Sequence, residues 1–165
     1  MVTGSPGFLE TLIGHEAAVG RLYRVFSETF PDRAEFWQGL ATEEEGHADR
    51  LRELGSDPII DDWLARESGL RPQAVRSSIA YVESQIERAR GGGLGVLQAL
   101  VIARDLESAL IEEQFARMGR SLHVAASPVL AELAAETEAH RALLTAALEA
   151  ERRSSPGGLG DRPPR

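Results

Sequence analysis

The chain has no cysteine, which removes disulfides, thiolate zinc sites, cysteine nucleophiles and Cys-ligated iron centres. Any metal it holds must be bound by oxygen and nitrogen. Positive charge is also short: 18 Lys and Arg stand against 26 Asp and Glu, a formal net charge of -8, with the arginines scattered among acids. A phosphate backbone needs clustered basic side chains, so nucleic acid is not an expected partner. No run of about 18 apolar residues occurs, and the N-terminal "MVTGSPGFLE" has neither a basic nor a long apolar region. A soluble, cytoplasmic protein with no membrane partner is expected. No segment alternates as a half-buried strand would.

At 165 residues the chain is long enough for one core and short for two. Glycine and proline punctuate it, and the segments between are rich in Ala, Leu, Glu and Arg, the composition of helices. Four long helices are expected at 8–30, 32–54, 94–118 and 128–152, the last with Ser127 as N-cap and Pro128 as its first residue. Residues 55–93 form a long connection with a helix at 72–90. The expected fold is all-α, a four-helix bundle over 1–152 with a long crossover between its second and third helices, followed by a disordered tail at 153–165.

Core positions of a bundle recur at spacings of three and four, so each seam can be written out. The first helix gives Leu9, Leu12, Glu16, Val19, Tyr23, Phe26 and Phe30. The second gives Trp37, Leu40, Glu44, His47, Leu51 and Leu54. Its rhythm selects Glu44 from the run "EEE" and turns Glu43 and Glu45 about 100° to either side, onto a solvated face. The third gives Val96, Leu100, Ala103, Glu107, Leu110 and Gln114; the fourth gives Leu130, Leu133, Thr137, His140, Leu144 and Ala147. All four seams turn polar midway. A buried carboxylate without a partner costs several kcal/mol or stays protonated, and this core collects three of them with two imidazoles. Metal ions would compensate directly, because carboxylates neutralise their charge and imidazoles close the coordination sphere.

The chain also repeats itself. "LATEEEGHADRL" at 40–51 falls on "LAAETEAHRALL" at 133–144, and Glu16 and Glu107 precede His47 and His140 by 31 and 33 residues. A Glu on one helix and E-x-x-H on the next, given twice, resembles the ferritin-like superfamily and, within it, the rubrerythrin-like diiron carboxylate proteins. The resemblance covers about 12–54 and 94–148. It implies Glu16 and Glu107 as terminal carboxylates, Glu44 as a bridging carboxylate, and His47 and His140 as imidazole ligands of an iron pair. It further implies reduction of dioxygen or peroxide, or oxidation of ferrous iron, with a homodimer as the assembly. Tyr23, on the face of Glu16, would serve as an outer hydrogen-bond partner or radical carrier, or be a core aromatic with a wet tip.

Three departures qualify this. Thr137 stands where a second bridging Glu is expected, and a neutral hydroxyl cannot replace it. Glu136, four residues before His140, would substitute if a π-bulge turned it inward. Leu110 stands where rubrerythrins carry an extra carboxylate, and the rubredoxin-like iron domain is missing, so electrons would come from an external donor. Two other readings therefore stay open: a storage or structural bundle holding one non-redox ion, zinc or manganese, at Glu16, Glu44, His47 and Glu107; and a metal-free degenerate bundle acting through partners.

Among the remaining residues, His15 and His123 are expected in solvent, Trp37 and Trp63 in packing, and Gln114 as a polar core residue. Arg104 and Arg117 are placed to pair with acids of neighbouring helices. The tail's "GGLG" resembles the short Gly-Leu segments that load some ferritin-like proteins into encapsulin shells, the alternative being a plain disordered end.

Overall fold

Proline and glycine set most of the helix boundaries in the computed structural model, which describes residues 7–55, 57–120 and 126–154. Those residues form seven α-helices and no strand: α1 (Phe8–Thr29), α2 (Ala34–Glu53), α3 (Pro58–Ser68), α4 (Pro72–Arg90), α5 (Val96–Glu107), α6 (Leu110–Gly119) and α7 (Ala126–Ser154). Pro31 stops α1 and opens a 3₁₀ turn, Pro31–Arg33, that turns the chain into α2. Asp57 caps α3 by accepting from the Ile59 N–H at 2.9 Å, and Gly69, at φ +63°, closes it in the left-handed conformation that favours glycine. None of the helices is long and apolar enough to cross a membrane among the described residues.

Two expectations are corrected. The 55–93 connection carries two helices rather than one, because the Asp-Pro start and Ser-Gly end around 57–69 delimit α3 ahead of α4. The expected helix 94–118 is broken directly after Glu107: Ala109 lies in the extended region at ψ 160°, separating α5 from α6. No glycine or proline marks that break, so the apolar pattern runs straight through it. The side chains of Leu110 and Gln114, and His123 and the tail from 155 onward with its "GGLG", lie outside the described residues.

α1 and α2 pack together as a hairpin, while α7 lies against α5 and α6. α4 packs along α1, so α1 is covered on more than one side. Gly20 lets the hairpin close: a Cβ there would stand 3.4 Å from the Glu44 Cβ and 3.5 Å from the Ala41 carbonyl oxygen.

The core falls into two clusters with a polar layer between them. One gathers Tyr23, Phe26, Trp37, Leu40, Leu100, Ala103 and Leu144; the other gathers Leu9, Leu12, Leu51, Phe115, Leu130 and Leu133. On each long helix the residues separating the clusters are the ones that broke the apolar seam: Glu16, then Glu44 and His47, then Glu107, then Thr137 and His140. All six are buried.

Candidate metal centre

α1 supplies Glu16 to this layer, α2 supplies Glu44 and His47 from one face at i and i+3, α5 ends on Glu107, and α7 supplies His140. Glu44 lies between the two imidazoles and faces one oxygen to each: Oε2 is 3.2 Å from His47 Nδ1 and Oε1 is 3.0 Å from His140 Nδ1. Each imidazole also faces a carboxylate of its own. Glu16 Oε2 lies 3.4 Å from His47 Nδ1, and Glu107 Oε1 lies 3.7 Å from His140 Nδ1.

These approaches are short enough for charge pairing but are poorly aimed as hydrogen bonds. Among the described residues, Glu44 Oε1, His47 Nδ1 and His140 Nδ1 are buried with no hydrogen-bond partner, although a buried polar atom is normally satisfied. Carboxylate oxygens and ring nitrogens that lie this close without bonding one another suit an ion between them. Two donors each about 2.1 Å from one ion stand at most about 4.2 Å apart, and all four distances above meet that limit. Glu44, His47 and His140 form a group whose ligand atoms all lie within 4.8 Å of one another.

The far nitrogens of the rings are held across the helix pair. His47 Nε2 bonds Glu136 of α7 at 2.9 Å, and His140 Nε2 bonds Glu43 of α2. Each Glu lies four residues before the histidine of its own helix and bonds the histidine of the other. This corrects one expectation and extends another. α7 is regular α-helix through 133–142, so there is no π-bulge; Glu136 reaches His47 from the outer side, where it also meets Arg50. Glu43 lies on the exposed face as expected, and its carboxylate in addition bonds His140. Glu45 does lie on the solvated face, paired with Arg24.

His15 corrects a third. It is fully buried, with Nδ1 3.1 Å from Glu16 Oε1 and Nε2 3.0 Å from the Ser78 hydroxyl of α4. A one-seam reading treats the other side of α1 as exposed, whereas α4 covers it. Tyr23 donates its hydroxyl proton to Glu107 Oε1 at 2.7 Å and packs against Trp37, ring centroids 5.7 Å apart. Trp63 is partly buried against the second cluster. Among the described residues, Arg104 pairs with Asp105 on its own helix. Beside Glu107 and the buried Thr137 a cleft of about 270 Å³ opens at the α5–α6 break, with Ser108, Glu138 and Arg141 also on its walls.

Without metal, protons hold the layer together. Burial works against a charged His47, but the carboxylates of Glu16 and Glu44 outweigh it and raise the ring to about 10. Burial likewise opposes charge on His140, and Glu107 with Glu44 raises it to about 11. Burial pushes Glu16 up, yet His15 and His47 bring it down to about 2. Glu107 goes the other way, raised chiefly by burial. Glu136 is lowered to about 2, first by Arg50. Metal binding would replace the two ring protons with cations. Comparison with family models, curated proteins and solved structures finds no match for this chain.

Proposed function

We propose that this is a rubrerythrin-like, ferritin-like four-helix bundle, in which α1, α2, α5 with α6, and α7 are the four helices and α3–α4 the crossover. It holds two iron ions in the polar layer and acts as an oxidoreductase on dioxygen, peroxide or ferrous iron, taking electrons from an external donor. The observation that carries this is Glu44, which faces one oxygen to each of two imidazole nitrogens that have no hydrogen-bond partner among the described residues.

In this reading Glu44 would be shared by the two positions, Glu16 with His47 would hold one ion, and Glu107 with His140 would hold the other. Bound ferrous iron would supply one electron per ion to the oxidant. Glu136 and Glu43 fix the two rings through their Nε2 atoms, which sets the nitrogen available at Nδ1. Tyr23 orients Glu107 by its hydroxyl. The two apolar clusters on either side of the layer keep bulk water from the reacting groups. A homodimer belongs to the same proposal and rests on the family resemblance alone, as does loading into an encapsulin shell.

Thr137 favours a second reading. It is buried in the layer three residues before His140, in the place of a second bridging carboxylate, and its hydroxyl carries no charge to balance a second cation. One non-redox ion, zinc or manganese, would then be stored or serve structure.

The test is metal analysis of protein reconstituted with ferrous iron without air and then exposed to oxygen or peroxide. Two irons per chain with an absorption band that develops on oxidation support the diiron reading. One ion with no such band supports the second, and no bound metal overturns both. Thr137→Glu should raise the iron stoichiometry if the missing carboxylate limits it; an unchanged stoichiometry counts against that account.

A further inference from the structure

The two halves of the layer are alike in their inner residues and differ in what stands behind them. Behind Glu107 is the phenol of Tyr23. Behind Glu16 is a longer chain: Ser78 of α4, then His15, then the carboxylate. A carboxylate only accepts, so His15 Nδ1 carries the proton toward Glu16, while Nε2 meets the Ser78 hydroxyl. His15 is fully buried and Glu16 nearly so. The bond engages Glu16 Oε1 and leaves Oε2 as the oxygen 3.4 Å from His47 Nδ1.

We propose that His15 is a positioning residue: anchored by Ser78, it holds Glu16 with Oε2 toward His47, so that the affinity of this one metal position, and not its neighbour's, depends on the crossover helix α4. The inference rests on the two-position reading above. A metal ligand held by an outer hydrogen bond does not have to be ordered when the ion arrives, and losing such a bond weakens metal binding by about 10–100-fold. Glu107 is instead held by the Tyr23 hydroxyl of α1, so the effect belongs to one half of the centre.

The experiment is a Co²⁺ titration of the full chain, followed by visible absorption and calorimetry, for wild type, His15→Asn, His15→Gln and His15→Leu. Asparagine places its amide N–H near the position of His15 Nδ1 and keeps the donor to Glu16; glutamine reaches the Nε2 position and keeps only the Ser78 side; leucine keeps neither. Wild type should bind in two resolvable steps. His15→Leu and His15→Gln should weaken one step by about 10–100-fold and change its absorption band, with the other step unmoved, and His15→Asn should restore most of the loss. Ser78→Ala should weaken the same step to a smaller extent. Equal weakening of both steps, no weakening, or equal behaviour of the asparagine and glutamine variants overturns the proposal. Should His15→Leu not fold, the asparagine and glutamine pair decides. A wild type that binds fewer than two ions overturns the two-position reading itself, and this inference with it.

Discussion

His47 of α2 and His140 of α7 lie stacked, their ring centroids 5.4 Å apart and their planes 20° from parallel. Two imidazoles at that distance repel one another if both are protonated, and the surrounding carboxylates raise both rings far above the ordinary histidine value. The stack is held by acids on both edges: Glu16, Glu44 and Glu107 at the inner nitrogens, Glu136 and Glu43 at the outer ones. A pair of divalent ions at the inner edge would do the same work with fewer protons.

Glu44→Gln keeps the shape of the side chain and removes the charge shared between the two halves. Metal affinity should fall by more than the roughly 10–100-fold typical of losing an outer partner, and binding of a second ion should be lost, while helicity stays unchanged. Metal titration alongside circular dichroism checks it; wild-type stoichiometry in the variant would remove Glu44 from the bridge.

Metal affinity should rise with pH. Both ring protons must leave before the inner nitrogens can ligate, so each contributes on the order of tenfold per pH unit below its folded value. Stability of the metal-free protein should run the opposite way at high pH. A group whose folded value is raised stabilises fully below its unfolded value and loses that contribution as pH climbs through the folded one, here from the ordinary histidine value of 6.5 up to about 10 for His47 and about 11 for His140. Glu16, lowered from 4.5 to about 2, contributes above 4.5 and loses its share as pH falls through about 2. Urea midpoints of metal-free protein at intervals from pH 3 to 10 test the sign at both ends.

The cross-pairs at the outer nitrogens give a paired prediction. Glu136→Gln acts on His47 and Glu43→Gln on His140, each expected to lower metal affinity by about tenfold. The two effects should fall on different binding steps. Both carboxylates are about half exposed, so raising the salt should weaken the wild type toward the variants. Identical titrations for wild type and both variants would show that packing alone orients the rings.

Gly119 closes α6 onto α7. A Cβ at this position would stand 2.7 Å from the backbone nitrogen and Cα of Ala131, closer than packing allows. Gly119→Ala should therefore destabilise the protein by about 1–3 kcal/mol, although alanine is the better helix former. A lower thermal midpoint is the expected readout; an unchanged one would mean α6 shifts at no cost.

Helix periodicity is a local property, so a single sequence determines it well. The spacing of Trp37, Leu40, Leu51 and their counterparts is enough to bury Glu44 rather than Glu43 or Glu45, and to place Glu16, Glu107, Thr137 and His140 inside as well. The alternation of two clusters around one polar layer follows from those seams. What periodicity cannot carry is which second surface a helix meets. His15 is off the seam of α1 and is buried only because α4 returns along that side. Glu43 and Glu136 look like solvent-facing acids on their own helices, and only the approach of α2 to α7 sets each against the other's histidine. The break after Glu107 carries no glycine or proline to announce it. The residues of the layer are thus written in the spacing of the chain, whereas their outer partners depend on contacts between segments far apart in sequence, which exist only once the helices have packed.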